Sequence, residues 1–278
     1  MKTIAALLVA LLSLPAANAQ EPEPEPEPEQ AQSEPAATPD SSDLGKEQRW
    51  RDQIVDSLMD GDAVDLTANG LTFLGLYTEA DEDTGRGAVI VHGIGVHPNW
   101  PQVVYPLRTG LPQQGWSTLS IQMPVLANEA TDADYAPLMD EVAPRLDAAI
   151  AYLREQGAER VAIVAHSLGA TMTSDYLASH PQAADAFVAV GLSSGGEHAG
   201  VDNAEMIGRI QRPILDMLGQ NDLEAVVAGA PGRAEAAAGN AGYSQVQAAG
   251  ADHFFDGQDD ALVEIVSGWL DEAVPAGD

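Results

Sequence analysis

The sequence predicts an α/β fold, with a mostly parallel central sheet of about eight strands, helices on both faces and a minimal cap. From residue 86 to the end of the chain, strand-like segments alternate with segments of helical periodicity, an order that requires parallel strands joined by crossover helices. Residues 88–91 and 161–165 are continuous apolar runs, as expected for strands buried on both faces. The chain has 278 residues, 45% of them hydrophobic, which suffices for the core of one domain.

The composition excludes several classes of protein. The chain has 43 acidic and 12 basic residues and a formal net charge of −31. Such an acidic protein repels a phosphate backbone and offers no basic patch, so nucleic-acid binding is excluded. The absence of cysteine excludes disulfides, thiolate metal sites and a cysteine nucleophile. We interpret the acidic surface as an aid to solubility in salty surroundings.

Residues 1–19 have the pattern of a secretory signal peptide. A lysine precedes a short apolar run at residues 4–14, and Ala17-Asn-Ala19 supplies the small residues of a cleavage site, so cleavage is predicted after Ala19. The run is too short to cross a membrane and no later run is long enough, so no transmembrane segment is predicted in the mature chain. We therefore expect a periplasmic or secreted protein.

Residues 20–43 are predicted to be a disordered spacer. Proline at every second position after Glu21 forbids a helix and favours polyproline II, and repulsion between the glutamates extends the segment further. Such a composition cannot form a core. Two interpretations stay open: a stiff tether that reaches an envelope partner, and a solvated tail without a partner. The folded domain is predicted to span residues 44–278.

The domain begins with an amphipathic helix at residues 44–59 and a hairpin at Asn69-Gly70 between strands at residues 63–66 and 71–78. The remaining strands are predicted at residues 88–91, 116–122, 161–165, 186–192, 213–218 and 243–247. The remaining helices are predicted within residues 102–114, 135–156, 168–179, 204–210, 223–238 and 261–273. Pro144 is expected to kink its helix or to start a new one, and the glycines within residues 229–232 are expected to break theirs.

Residues 161–170 carry the strongest functional signal, a serine at a strand-to-helix turn. A β-branched apolar strand ends just before Ser167, and a helix of small residues begins at Leu168. A serine hydroxyl is a weak nucleophile unless it is presented to a base, and a sharp turn does this where the residues two before and two after are small. Those residues are Ala165 and Gly169. We predict that Ser167 is a catalytic nucleophile; the alternative is an ordinary turn with an incidental serine.

Four blocks of sequence together carry a resemblance to a known family. They are His92-Gly-Ile-Gly-Val-His-Pro-Asn-Trp100, Leu119-Ser-Ile-Gln-Met-Pro124, Ala165-His-Ser-Leu-Gly-Ala170 and Gly250-Ala-Asp-His-Phe-Phe255. In these blocks the chain resembles the α/β-hydrolases and, more narrowly, the DUF3530 family of exported proteobacterial α/β-hydrolases. The resemblance covers residues 45–278. It implies the α/β-hydrolase fold and a catalytic triad, but no substrate.

The acid and the base of the triad are expected after later strands, because this fold orders the triad along the chain as Ser, then Asp or Glu, then His. Asp222 follows the strand at residues 213–218 and is the expected acid, with Glu224 as its rival. Asp216 lies within that strand and is interpreted as structural. His253 lies in the loop after the last strand, and a histidine there can take the serine proton and return it to the leaving group.

The oxyanion of an acyl-transfer reaction needs two preorganised N–H donors. One is expected from Leu168, the residue after the nucleophile. The resemblance places the other at Ile94, in the loop that begins His92-Gly93. His92 and His166 flank the expected site, and we interpret them as hydrogen-bonding to the backbone there.

His97 and Trp100 either line the pocket or pack elsewhere, and both interpretations stay open. No histidine spacing typical of a metal site is present, so no metal is predicted. The run from Gly93 to Gly95 begins like a dinucleotide fingerprint, but Pro98 stands in place of its third glycine. We therefore predict no cofactor.

Only residues 193–212 are available for a cap, so the predicted site is small and open. The arginines are sparse, and the nearest candidates, Arg86 and Arg108, offer little for a strongly anionic substrate. We predict an exported serine hydrolase that cleaves a small-molecule or acyl substrate, a carboxylic ester first of all, through an acyl-enzyme. A thioesterase, amidase or peptidase is the alternative within this class, since one triad serves all of these reactions. The alternative from another class is a catalytically silent envelope binding protein.

Overall fold

The computed structural model describes residues 41–276. The predicted signal peptide, and the predicted spacer up to residue 40, lie outside the described residues. Ser42 and Asp43, predicted as the end of the spacer, already bond to the folded domain. The Ser42 N–H donates to a carboxylate oxygen of Glu141 at 2.8 Å, and the Asp43 N–H donates to the carbonyl of Val125 at 2.8 Å. The contacts of the domain therefore begin slightly before residue 44.

The strands and helices follow the predicted order along the chain. The strands are β1 (Asp62–Ala68), β2 (Leu71–Thr78), β3 (Arg86–Val91), β4 (Ser117–Ile121), β5 (Arg160–His166), β6 (Ala186–Val190), β7 (Glu197–His198), β8 (Val201–Asp202), β9 (Ile214–Asn221) and β10 (Tyr243–Asp252). The helices are α1 (Leu44–Ser57), α2 (Val104–Gly110), α3 (Val142–Glu155), α4 (Leu168–Ser179), α5 (Asn203–Arg209), α6 (Glu224–Ala236) and α7 (Asp259–Ala273), with 3₁₀ turns at Leu111–Gln114, Asp132–Glu141 and Ala237–Gly239. Among the described residues, no helix combines the length and the apolar character needed to cross a membrane.

The large sheet has the strand order β1-β2-β4-β3-β5-β6-β9-β10. The pairs β1–β2 and β2–β4 are antiparallel, and every later pair is parallel. This confirms the predicted mostly parallel sheet of eight strands. Parallel strands place their carboxyl ends at one edge, so the loops after β3, β5, β6, β9 and β10 meet there. The short pair β7–β8 and helix α5 form the predicted minimal cap.

The central strands are buried on both faces because their alternate residues enter two separate cores. Along β3, Val89 and Val91 join the core that also holds residues of α3 and α4, whereas Ala88 and Ile90 join the core with residues of α2 and α7. Strand β5 divides its residues in the same way. This double burial is the physical reason for the continuous apolar runs in the sequence.

The two predicted helix interruptions had different outcomes. Pro144 stands in the first turn of α3, where a missing N–H breaks no helical hydrogen bond, and the preceding segment is a 3₁₀ turn. The predicted break at residues 229–232 was wrong, because α6 is continuous there. A Cβ at Gly229 would overlap the side chain of Ser194, so packing requires a glycine at that position. The helix tolerates it at a cost of about 1 kcal/mol.

Candidate active site

Ser167 lies at the turn between β5 and α4 in a strained backbone conformation. Its φ is 53° and its ψ is −123°, a region that residues other than glycine rarely adopt. A Cβ at Gly169 would overlap the carbonyl oxygen of His92, and a Cβ at Gly93 would lie 3.1 Å from the Cβ of Ser167. The loop after β3 therefore packs directly on the turn, which explains why small residues surround the serine.

The structure brings Ser167, His253 and Asp222 together in one hydrogen-bonded chain. His253 Nε2 lies 3.0 Å from Ser167 Oγ, and His253 Nδ1 lies 2.6 Å from Asp222 Oδ1. The Asp222 side chain is fully buried, His253 is buried, and Ser167 is half-buried. The hydroxyl is thus accessible to a small molecule, while the acid behind the imidazole is shielded from water.

The surroundings of Asp222 determine where the imidazole carries its proton. Burial disfavours the carboxylate, but hydrogen bonds from His253 and from the N–H groups of Gly219 and Leu223 outweigh it, and the pKa of Asp222 lies below its ordinary value. An ionised carboxylate only accepts hydrogen bonds, so the Nδ1 of His253 carries the hydrogen. The Nε2 then accepts from the hydroxyl of Ser167, as a general base requires.

His253 reaches the serine because the end of β10 folds over its neighbour. Two strands, β6 and β9, separate β10 from β5, and three strand spacings amount to about 14 Å. The register of β10 against β9 shifts between Ala248 and Asp252. A Cβ at Gly219 of β9 would lie 2.7 Å from the carbonyl oxygen of Asp252, so a glycine is needed where β10 crosses. This bulge aims the histidine across the sheet.

The two other candidate acids lie elsewhere. Glu224 is exposed in the first turn of α6 and makes no hydrogen bond to His253 among the residues described. Asp216 is buried within β9, where Arg233 Nε donates to it at 2.7 Å and the Tyr243 hydroxyl donates at 2.7 Å. Asp222 is therefore the carboxylate that faces the imidazole, and Asp216 has the structural position that we expected.

Gly191 belongs to the site, and the sequence reasoning missed it. It follows β6 with a φ of +65°, and a Cβ there would lie 2.9 Å from Cε1 and 3.0 Å from Nδ1 of His253. The imidazole therefore lies directly over this glycine. The signal available in the sequence, a glycine after the buried strand next to that of the nucleophile, is weak because ordinary tight turns also need such glycines.

We expect Gly191→Ala to lower kcat by about 10²-fold, because the added methyl group displaces the imidazole from the serine. The matched control is Gly70→Ala, since Gly70 has a similar φ of +79° but open space around it. Both variants carry backbone strain of about 1 kcal/mol, visible as a similar loss in thermal stability. Equal kcat values for the two variants, measured on the same ester, would contradict the proposed contact.

His92 orients the peptide unit that is expected to hold the oxyanion. Its Nε2 accepts from the N–H of Met123 at 2.9 Å and lies 3.1 Å from Nε2 of Gln122, so its Nδ1 carries the hydrogen and donates to the Gly93 carbonyl at 2.8 Å. That carbonyl and the N–H of Ile94 belong to one trans peptide and point in opposite directions. Holding the carbonyl therefore directs the Ile94 N–H.

The N–H groups of Ile94 and Leu168 are the two expected oxyanion donors. Ile94 follows Gly93, which faces Ser167, and Leu168 begins α4 directly after the serine. Within residues 41–276, neither N–H donates to a protein acceptor. Both donors therefore remain available to a ligand next to the hydroxyl.

His166 contacts His253, the expected base, through both its backbone and its ring. Its Nε2 lies 2.9 Å from the carbonyl oxygen of His253, and the two rings lie 4.8 Å apart. Burial and the neighbouring His253 lower the pKa of His166 to about 4, so this ring is neutral at pH 7. A neutral ring that donates to the His253 carbonyl fixes the backbone of the base without adding charge beside it.

His92 and His166 are expected to lower the free energy of unfolding as the pH falls from 6.5 toward 4. Burial lowers the pKa of His92 to about 3 and that of His166 to about 4. An unfolded chain, with ordinary histidine pKa values near 6.5, binds protons in this window that the folded chain does not. Each histidine therefore contributes a loss of about 1.4 kcal/mol per pH unit.

Urea denaturation at several pH values measures this loss. His166→Asn is expected to reduce the slope of the free energy of unfolding against pH by the contribution of one histidine, about 1.4 kcal/mol per pH unit. His180→Asn makes the same substitution at an exposed histidine and serves as the matched variant for comparison. An unchanged slope in His166→Asn would show that this histidine does not resist protonation in the folded state.

His97 packs against Trp100 and against Trp50 of α1. The His97 ring lies 5.4 Å from the ring of Trp50 and 5.4 Å from that of Trp100, with edge contacts in both cases. Burial lowers the pKa of His97 to about 4. Of the two interpretations left open for these residues, the contacts favour packing.

Neither arginine considered for an anionic substrate is free at the site. Arg108 is fully buried, and its Nε donates to the side-chain oxygen of Asn99 at 2.9 Å. Arg86 pairs with Asp271 at 2.6 Å and stacks on Trp116. Both guanidinium groups are thus held by contacts within the fold and do not face the site.

The chain matches one protein family and several solved structures. The DUF3530 family, described as a protein of unknown function, matches residues 2–144 and 126–272. A comparison with curated proteins finds no match.

Several solved structures that resemble this one are described as hydrolases. Dienelactone hydrolase from Anabaena variabilis is 19% identical with a TM-score of 0.63, over 76% of this chain and 97% of that chain. A serine hydrolase homologue from Coxiella burnetii is 18% identical with a TM-score of 0.61, over 77% and 99%. Est1E from Butyrivibrio proteoclasticus is 12% identical with a TM-score of 0.61, over 76% and 98%. These similarities show the fold, and they confirm the predicted α/β-hydrolase fold.

Proposed function

The chain belongs to the DUF3530 family, and we propose that it is a serine hydrolase that cleaves carboxylic esters through an acyl-enzyme. The observation that carries the proposal is the hydrogen-bonded chain from Asp222 through His253 to Ser167, which ends on a strained strand-to-helix turn. The proposal also explains the strained backbone of Ser167, because such a turn presents the hydroxyl to the carbonyl group of a substrate.

In the first half of the reaction, Ser167 Oγ attacks the carbonyl carbon while His253 Nε2 takes the hydroxyl proton. The N–H groups of Leu168 and Ile94 stabilise the oxyanion, and Asp222 stabilises the imidazolium. The tetrahedral intermediate collapses, the bond to the leaving alkoxide breaks, and His253 returns the proton to it. In the second half, His253 activates a water molecule that hydrolyses the acyl-enzyme by the same steps.

The choice of esters rests on the similar solved structures, of which a domain from Rhodothermus marinus and Pf2001 from Pyrococcus furiosus are described as esterases. A thioester, an amide or a peptide bond remains the alternative, since the same groups would cleave them.

A fluorophosphonate probe tests the proposal, because it reacts covalently with an activated serine and with little else. We expect labelling of the wild-type chain and none of Ser167→Ala, with both proteins shown to be folded by circular dichroism. Folded wild-type protein that takes no label would overturn the proposal and would favour a catalytically silent binding protein.

We also propose that the chain is exported, which rests on the charge, apolar run and small residues at positions 1–19. Expression in a bacterial host followed by fractionation tests this. The protein is expected in the periplasm or the medium with Gln20 as its first residue. A full-length chain in the cytoplasm would contradict export. The role of the Glu-Pro spacer as a tether to an envelope partner is part of the same proposal.

A further inference from the structure

The loops at the carboxyl edge of the sheet contain neither lysine nor arginine. These loops are residues 92–103, 122–131, 191–202, 222–223 and 253–258. Four cations reach the loops from the body of the domain, and each is buried and bonded: Lys46, Arg108, Arg145 and Arg233. The described loops at this edge therefore offer an anionic substrate no exposed cation of their own, on a protein of net charge −31.

Three exposed apolar side chains lie beside the proposed catalytic groups. Ile94 follows Gly93, Leu223 follows Asp222, and Phe254 follows His253. Their exposed fractions are 37%, 51% and 42%. The Phe254 ring lies 5.2 Å from the His253 ring, which places it at the mouth of the site. Large apolar side chains are left exposed here at the points where a substrate must approach.

A groove of about 450 Å³ lies between the loop after β6 and the first turns of α6, the helix that follows Leu223. Its lining consists of small residues and one carboxylate: Ser194, Gly195, Glu224, Ala225, Ala228 and Gly229. The Ser194 N–H donates to the Ala225 carbonyl at 3.1 Å, so the two walls are joined at the base. A groove with small walls accommodates an unbranched chain.

We propose that this groove holds the apolar acyl chain of an uncharged or cationic ester, and that anionic substrates are rejected. The proposal rests on the proposed function, because it assigns a substrate class to the same serine. Apolar contacts with Leu223 and the alanines would stabilise the bound chain, whereas the acidic edge repels negative charge. Thioesters of phosphate-bearing carriers are among the substrates that this arrangement disfavours.

The charge preference is tested on the mature chain with 4-nitrophenyl esters that share one leaving group. The acyl groups are butyrate, hemisuccinate and 4-(trimethylammonio)butyrate. We expect kcat/KM for the anionic hemisuccinate to be about tenfold below that for butyrate, and the gap to narrow as salt rises from about 10 mM to about 500 mM. Equal values for hemisuccinate and butyrate would overturn the charge preference.

The groove is tested with Ala228→Phe, which fills it from an exposed position. We expect the ratio of kcat/KM for octanoate to that for acetate to fall about tenfold, since apolar contact is lost along the chain. Ala151→Phe, on the exposed side of α3, is the matched control and keeps the wild-type ratio. An unchanged ratio in a folded Ala228→Phe variant would overturn the groove assignment.

The two levels of the proposal fail separately. Wild-type protein that hydrolyses esters and takes the fluorophosphonate label, but shows neither preference, overturns this inference alone. Wild-type protein that neither hydrolyses esters nor takes the fluorophosphonate label overturns the proposed function and this inference with it.

Discussion

Replacing Ser167 by alanine is expected to lower the turnover of 4-nitrophenyl butyrate by up to about 10⁶-fold. Among the described residues, the hydroxyl of Ser167 is the group that His253 Nε2 faces, at 3.0 Å, and it is the group proposed to form the acyl-enzyme. What remains is the stabilisation of a direct attack by water, assisted by the oxyanion donors. The measurement is kcat of the purified variant, with the thermal midpoint as the check on folding.

His253→Ala is expected to cause a loss of similar size, and the double variant a loss no larger than either single one. Ser167 and His253 act as one unit. Once either is removed, removal of the other is expected to lower the turnover little further. Losses that multiply would show that the two groups work independently. A Ser167→Ala variant within tenfold of the wild type would rule out the serine as the nucleophile.

Asp222→Asn is expected to lower kcat by about 10⁴-fold. An asparagine amide can donate to Nδ1 of His253, which favours the tautomer with the hydrogen on Nε2. In that tautomer the imidazole no longer accepts the proton of Ser167. The geometry of the site would stay intact, so the loss should appear in kcat with little change in thermal stability.

Glu224→Gln provides the comparison that distinguishes the two candidate acids. Glu224 is exposed and lies away from His253, so its replacement is expected to leave at least about a tenth of the turnover. A loss in Glu224→Gln as large as that in Asp222→Asn would mean that the acid is wrongly assigned. The kcat values of both variants on one ester decide the question.

Much of the architecture could be predicted because a strand buried on both faces appears in the sequence as a continuous apolar run. The apolar runs that became β3 and β5 are continuous since alternate residues enter two cores. The positions of Ser167, Asp222 and His253 were also predictable. Each follows a strand, and parallel strands end at one edge. The alternation of strands and helices along the chain therefore predicts that these three residues lie at that edge, without any knowledge of the distances between them.

Helix α6 shows where local reasoning fails. Its glycines predicted a break, but Gly229 is a glycine because Ser194 packs against the helix there. The same holds for Arg108, whose burial no local pattern predicted and whose Nη1 donates to the carbonyl of Asp60 at 3.0 Å inside the fold. In both cases the deciding contact comes from a segment distant in sequence.

The amino-acid sequence by itself determined the order of the elements, the small residues around Ser167 and the three strands whose ends carry the candidate catalytic groups. Only the tertiary structure decided that Asp222 and not Glu224 faces the imidazole, that Gly191 lies beneath it, and that His92 directs the Ile94 peptide. Periodicity reports which face of an element is buried. The distances between loops depend on the bulge in β10 and on packing across the sheet, and no single segment encodes them.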